Sequence, residues 1–140
     1  MKADVVTLCH SAMTEGSRLS ILGAFNIVYA SAVPFRLPPC ALAVRIVFDD
    51  SDCGPCFIKL TITGTDGDRV YEKEFSHHIP TGVAHPTPGT THQAGSLCLI
   101  FLLPEVEMRS YGAQAIDLVL GEQDVQMPFY VYPKSAEIVS

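Results

Sequence analysis

The amino-acid sequence predicts an all-β protein, an antiparallel β-sandwich of about eight strands folded as a single domain over residues 1–140. Three observations support this prediction. Apolar and polar residues alternate along several segments, turn-forming residues separate the segments, and no segment carries a sustained helical stripe of apolar residues. Many short strands without helices to connect parallel neighbours are typical of antiparallel sandwiches and related barrels. With 140 residues, 48% of them apolar, the chain is long enough to bury a core of its own.

Eight segments have the character of strands. Clean alternation, typical of half-buried strands, occurs at residues 40–48, 58–62, 116–120 and 125–131. Strand-like composition without clean alternation occurs at residues 4–11, 18–29, 69–79 and 97–103. Gly23 interrupts its segment as a bulge or bend would, and Pro128 indicates that the last strand lies at a sheet edge or carries a bulge.

Charge and cysteine content exclude several classes of protein. The chain has 9 Lys and Arg against 15 Asp and Glu, a net charge of −6, so we expect no nucleic-acid partner and no membrane partner. The longest apolar run, residues 97–103, is far shorter than the roughly 20 residues of a transmembrane helix. Residues 1–6 lack the pattern of a signal peptide. Because five cysteines make an odd number in a chain without an export signal, we expect reduced thiols and a cytoplasmic protein.

The segment around the second predicted strand carries a family resemblance. Residues 18–25 contain a Leu-x-Ile-Leu-Gly sequence, which follows the apolar segment 5–9 and precedes a proline-rich stretch and the 40–48 strand. Together with the Thr65-Asp66-Gly67 turn and the closing pair of strands, this outline resembles a family of small, uncharacterised bacterial all-β proteins. The resemblance implies a β-sandwich and no particular activity, because such families have no assigned catalytic residues.

The sequence Cys53-Gly54-Pro55-Cys56 is similar to the redox motif of thioredoxins, but its context differs. In thioredoxins the motif begins a helix, whose N-terminus lowers the pKa of the first thiol. Here residues 57–62 continue as a strand, and the acidic residues that precede the motif would raise a thiol pKa. We therefore expect a tight Gly-Pro turn between two strands rather than a disulfide oxidoreductase.

A zinc site is the main candidate for metal chemistry. Two thiolates with the spacing of Cys53 and Cys56, together with two imidazoles, form a ligand set that Zn²⁺ prefers. Four of the five histidines lie within 16 residues: His77, His78, His85 and His92. If the strands alternate in direction, the Cys53–Cys56 turn, the histidine segment, His10 and the turn at residues 121–124 share one end of the sandwich.

The zinc pattern is incomplete, and an alternative stays open. A pair of histidines separated by three to five residues is absent, and His77 and His78 are adjacent, so they would point to opposite faces of a strand. In the alternative interpretation, His85 and His92 are exposed loop residues, and His77 or His78 covers a sheet edge.

No arrangement of residues indicates an enzyme. The sequence contains no Gly-x-Ser-x-Gly elbow and no glycine-rich loop that could hold a phosphate. The pairs Glu72 with Glu74, and Glu105 with Glu107, could act as the two carboxylates of a glycosidase, but a solvated strand face and a polar loop account for them more simply.

The proline-stiffened loop around Phe35, Arg36 and Leu37 is a candidate contact surface for a protein partner or for self-association. Alternatively, Phe35 and Leu37 cap the open end of the core. The sequence therefore predicts a non-enzymatic binding or assembly module without a cofactor. The alternative function is a zinc-binding protein, or a metal-dependent enzyme, that uses the Cys-x-x-Cys turn and the histidine segment.

Overall fold

The computed structural model describes residues 1–16, 18–80, 85–86 and 93–138, with only the backbone for 85–86 and 93–94. This part of the chain contains twelve strands. They are β1 (Lys2–Glu15), β2 (Arg18–Phe25), β3 (Ile27–Ala30), β4 (Phe35–Leu37), β5 (Cys40–Asp49), β6 (Gly54–Thr63), β7 (Arg69–Ile79), β8 (His85–Pro86), β9 (Gln93–Leu103), β10 (Val106–Met108), β11 (Gly112–Leu120) and β12 (Gln123–Pro133). Two short 3₁₀ turns cover Asp50–Asp52 and Lys134–Ala136. No helix in the described ranges is long and apolar enough to span a bilayer.

The strands form two five-stranded sheets and a small ribbon. The front sheet has the order β2-β1-β5-β9-β8, the back sheet has the order β3-β12-β11-β6-β7, and β10 pairs with β4. All neighbouring strands are antiparallel except β12 and β3, which are parallel. The predicted all-β sandwich is confirmed.

Seven of the eight predicted segments correspond to one long strand each, whereas the predicted segment 18–29 is divided between β2 in the front sheet and β3 in the back sheet. The additional strands β3, β4, β8 and β10 contain two to four residues each, too few for a period-two pattern to stand out. Pro128 pairs with Ala115 on β11, while β3 covers only Tyr130–Pro133 on the other side of β12. Within the described residues Pro128 therefore lies where β12 is a sheet edge, as predicted.

The core lies between the sheets and consists of the inward-facing side chains of the alternating strands. On β5 the buried set of one parity is the predicted one, Leu42, Val44, Ile46 and Phe48. The back sheet contributes the corresponding residues of three strands: Ile58, Leu60, Ile62, Ile116, Leu118, Phe129 and Val131. Burial of these side chains contributes about 1.5–3 kcal/mol each relative to exposure, which orders the two sheets against each other.

The β1–β2 hairpin extends past the end of β5. β1 pairs with β5 only from Lys2 to Cys9, and its remaining residues pair with β2 alone. The inner face of the hairpin packs Ala12 and Leu19 against a small cluster on the outer side of the sheet. That cluster consists of Cys9, Ala41 and Ala43, and Ile100 also packs against it.

Gly23 marks a bend in this hairpin. Its φ is +67°, which favours glycine, and a Cβ built there would lie 3.0 Å from the Cβ of His10, so His10 would have to shift. The pairs Cys9–Ala24 and Ser11–Leu22 have the same register on either side of Gly23. The predicted interruption is thus a bend without an inserted residue.

Candidate functional site

The Cys-x-x-Cys motif lies at the end of the sandwich where β5 turns into β6. Asp49 and Asp52 close the 3₁₀ turn reciprocally: the Asp49 side chain accepts from the Ser51 N–H at 2.9 Å, and the Asp52 side chain accepts from the Asp49 N–H at 3.0 Å. The chain then leaves the turn as an extended strand, with no helix following the motif. The predicted tight turn at Gly54-Pro55 is therefore wrong in position. The turn lies at Asp50–Asp52, where Asp49 and Asp52 close it, and Gly54 and Pro55 are the first residues of β6.

The two thiols differ in environment. Cys56 is buried, and burial, with a smaller effect from the Asp52 carboxylate, raises the pKa of its thiol. Cys53 is half-buried, and its thiol donates to the Pro80 carbonyl oxygen at 3.3 Å. A raised pKa keeps Cys56 protonated at neutral pH, which is the opposite of what a nucleophilic thiolate needs.

The register of β6 and β7 decides which histidines approach the thiols. Cys56 lies opposite His77, and Pro55 lies opposite His78. Directly opposed residues share a face, so the half-buried His77 shares the inner face with Cys56, whereas His78 is exposed on the other face. The predicted opposite orientation of the two histidines is confirmed.

The remaining predicted ligands are only partly described. His85 belongs to β8 by its backbone, and His92 lies outside the described residues. In the part of the chain that the structure describes, no three side chains of His, Cys, Asp or Glu come close enough to hold a metal ion. The zinc site stays a prediction.

Two turns meet at this end, as the strand-alternation argument predicts. The Gly121 N–H donates to the Phe57 carbonyl oxygen at 2.8 Å. The start of β1 joins the two segments, because the Ala3 N–H donates to the Gln123 side chain at 3.1 Å and the Met1 amino group lies 2.9 Å from the Asp52 carboxylate. These contacts place the 121–124 turn beside the segment Cys53–Cys56.

The prediction that His10 shares this end is wrong. β1 is antiparallel to β5, with Lys2 opposite Val47 and Cys9 opposite Ala41, so the C-terminal part of β1 lies at the other end. The short strands β3 and β4 lie between β2 and β5, so the simple alternation of eight strands does not hold.

The outer face of the β1–β2 hairpin carries an apolar patch, which we define as Met13 and Leu22. Their side chains are 66% and 65% exposed, and they lie on the same face because Met13 is opposite Ser20 and Leu22 is opposite Ser11. β2 is the outermost strand of the front sheet, so its second edge is unpaired among the described residues. The patch therefore adjoins a strand edge that can accept another strand.

A model for a family of unknown function, DUF6941, matches residues 4–132. The chain belongs to the DUF6941 family. The match runs from β1 through most of β12, so it covers both sheets. It confirms the expectation of an uncharacterised family, while a bacterial origin of its members stays a prediction. The search of curated proteins found no match.

In this DUF6941 chain, the loop predicted to contact a partner is part of the sandwich. Phe35, Arg36 and Leu37 form β4 and pair with Met108, Glu107 and Val106 of β10. Leu37 is only 3% exposed, and Phe35 packs against the core. Both contacts agree with the core-capping alternative.

Arg36 is the one member of that trio whose side chain is largely exposed. It lies 3.6 Å from the Glu105 carboxylate. A partner contact by this trio stays a prediction, with Arg36 as the accessible residue.

The carboxylates considered for sugar hydrolysis lie in two places: Glu72 and Glu74 on the outer face of the DUF6941 back sheet, and Glu105 and Glu107 at β10, beside Arg36 and Arg109. The Lys59 ammonium lies 2.9 Å from Glu72 and 3.6 Å from Glu74, and Arg69 lies 2.9 Å from Glu72. Hydrogen bonds from Lys59 and Arg69 hold the pKa of Glu72 below its usual range. This arrangement is an ion-pair network on a solvated face, in agreement with the simpler interpretation.

Sequence reasoning missed the hairpin patch of this DUF6941 protein. A signal was available: residues 19–35 contain no charged side chain, although a strand of 18–29 was predicted. An uncharged strand is ordinary in a sheet interior, and only the sheet order places β2 at the outside.

Proposed function

We propose that this protein is a non-enzymatic assembly module that self-associates by pairing the β2 edges of two copies. The observation that carries the proposal is the exposed β2 edge, uncharged from Leu19 to Phe25, beside the patch of Met13 and Leu22. Unpaired N–H and C=O groups along such an edge are a template for another strand.

The composition of the edge supports strand addition. Natural sheets protect their edges with lysines, prolines or very short strands. β2 is eight residues long, has its single charge at Arg18 and contains no proline. Its bend at Gly23 leaves Leu19–Leu22 as a regular segment that can form new ladder hydrogen bonds.

A second copy is the occupant that best fits this edge. A two-fold axis perpendicular to the sheet and centred on Ile21 makes the strands antiparallel and keeps each residue on its own face. Ser20 of one copy then lies opposite Leu22 of the other, and Met13 lies next to Ser20 within its own copy. Leu22 of each copy thus contacts Ser20 of the other copy, next to the apolar side chain of Met13.

Charge also favours pairing at this segment. Two copies with a net charge of −6 each repel one another, so a stable contact needs a surface without acidic residues. Leu19–Leu22 has none, and the nearest carboxylate along the hairpin, Glu15, faces Arg18 across the β1–β2 pair.

The test is the concentration dependence of the molar mass, measured by sedimentation velocity. Because a hairpin edge gives an interface below about 1,200 Å², we expect a dimer that dissociates in the micromolar range. Leu22→Lys should abolish the dimer by placing like charges across the axis and removing an apolar contact. Ile138→Lys is the matched control, since Ile138 is 90% exposed and lies far along the chain from β2.

Three outcomes of the sedimentation experiment test the proposed dimer. A dimer in the unmodified chain and in the Ile138→Lys chain, lost in the Leu22→Lys chain, supports the proposal. A monomer at every concentration would overturn it. A dimer that persists in the Leu22→Lys chain would also overturn it, because a different surface would then hold the copies together.

A further inference from the structure

Among the residues that the structure describes, the sandwich has an open side between β7 and β9. β7 is the outermost strand of the back sheet, and β9 pairs with β8 only at Gln93 and Ala94. Along the rest of β9, the described residues provide no further neighbour in the front sheet. A cleft runs along the edges of these two strands.

This cleft has the size and lining of a small-molecule site. Its volume is about 550 Å³, within the range of roughly 300–1,000 Å³ that is usual for ligand pockets. Its floor consists of core side chains that are at most 8% exposed, namely Leu60, Leu99 and Phe101, and the Phe101 ring packs against Phe75 at 5.2 Å. Phe75, Ile100 and Leu102 form its accessible apolar wall.

Two basic side chains lie on the inner face of β7, where core residues are expected. Lys73 is opposite Leu60 and His77 is opposite Cys56, so both point to the core side, and both line the cleft. The acidic residues of this strand, Glu72 and Glu74, have the other parity and contact Lys59 on the outer face. The cleft thus combines an apolar wall with basic groups although the protein is acidic overall.

An inward-pointing lysine can also protect an edge strand from pairing with another chain. That explanation accounts for Lys73 alone. It does not account for a cavity of this volume, nor for His77 as a second polar side chain along the same wall.

We propose that the cleft binds a single-chain amphiphile with an anionic head group. The hydrocarbon chain lies along Phe75, Ile100 and Leu102, and the head group contacts the Lys73 ammonium and the His77 imidazole. The site uses β7 and β9, whereas the proposed dimer uses β2, so the two proposals are independent.

Dodecanoate, used below its critical micelle concentration, is the probe. We expect isothermal titration calorimetry to show one molecule bound per chain, and neutral dodecanol to bind at least about fivefold more weakly. Lys73→Gln should weaken dodecanoate binding about fivefold, because a partly exposed ion pair contributes up to about 1 kcal/mol. Lys134→Gln is the matched control, since it removes the same charge from the C-terminal 3₁₀ turn.

Methyl NMR spectra locate the binding site. Shifts concentrated on Ile100 and Leu102, together with weaker binding by the Lys73→Gln chain alone, support the proposal. Absence of dodecanoate binding would overturn it, and so would equal affinity for dodecanol. Shifts at Met13 and Leu22 instead of the cleft would also overturn it, because they indicate adsorption to the hairpin patch.

Discussion

Replacing Asp117 by asparagine tests how the back sheet holds a pair of neighbouring carboxyl groups. Asp117 on β11 lies opposite Gln126, and Asp124 on β12 lies opposite Val119, so the two carboxyl groups are diagonal neighbours on the outer face. One oxygen of Asp117 is buried without a hydrogen-bond partner. A hydrogen bond with Asp124, then burial, then the charge of Asp124 raise the pKa of Asp117 to about 6.

The shift sets the size and the sign of the expected effect. The pKa of Asp117 is about 6 in the folded protein and ordinarily 3.8, a difference of about 2.2. At about 1.36 kcal/mol for each pKa unit, the effect on the free energy of unfolding is at most about 3 kcal/mol. Because the side chain is only half-buried, solvent screening reduces this to about 1–2 kcal/mol. The folded state binds the proton more tightly, so stability falls as the pH rises from about 4 to about 6 and stays lower above that window.

Asp117→Asn removes the charge and leaves a group that can hydrogen-bond to Asp124. We expect the free energy of unfolding to rise by about 1–2 kcal/mol at about pH 7 and to change little near pH 4. Urea unfolding followed by circular dichroism across this range measures both values. A variant that is equally destabilised at both pH values would refute the reasoning, because the loss would then be steric rather than electrostatic.

Asp4→Asn provides a control of opposite sign. The Asp4 carboxylate accepts two hydrogen bonds from Arg45, at 3.0 and 2.9 Å, and that interaction lowers the pKa of Asp4. The ion pair of Asp4 with Arg45 stabilises the folded protein at pH values above the ordinary pKa of an aspartate. This stabilisation is lost as the pH falls through the lowered pKa of Asp4 in the folded protein. Asp4→Asn should therefore destabilise the protein at about pH 7, by about 0.5 kcal/mol for a largely exposed pair.

Two further predictions concern residues singled out from the sequence. Leu37→Ala should reduce the free energy of unfolding by about 2–5 kcal/mol because Leu37 is buried in the core, whereas Arg36→Ala should cost less than about 1 kcal/mol. Equal losses in urea unfolding would contradict core capping. If the zinc prediction is right, protein purified without chelator holds stoichiometric zinc by inductively coupled plasma mass spectrometry, and Cys53→Ser with Cys56→Ser removes it. Metal-free protein with five reactive thiols after unfolding would contradict that prediction.

The sequence predicted the parts of this fold that repeat over many residues. The buried parity of β5, with Val44 and Ile46 at its centre, follows from alternation over nine positions. The sequence predicts that the first strand ends at Ser11, whereas β1 continues to Glu15. Residues 11–15 show no alternation of apolar and polar side chains, because Ser11 and Thr14 are both polar. Strands of two to four residues were missed for the same reason.

The candidate sites depended on neighbours that the sequence does not reveal. The Cys-x-x-Cys spacing and the alternation of strand directions group Cys56 with His77, but their shared inner face depends on the register of β6 and β7. The Asp117 and Asp124 carboxyl groups are seven residues apart and meet only through a diagonal cross-strand contact. Such contacts require register and sheet order, which local patterns do not specify.

The two long outer strands, β2 and β7, differ in a way that bears on the proposed assembly. β7 carries charged side chains on both faces, including Arg69, Glu72, Lys73 and Glu74, and its carboxylates are engaged by Lys59. Pairing a second β7 against it would place these ion pairs against one another and remove water from them, which is costly. β2 has no such protection along Leu19–Leu22, so strand addition is opposed at one edge and open at the other. A chain under general pressure against edge pairing would be expected to protect both edges, and the contrast therefore favours β2 as a surface kept for a partner strand.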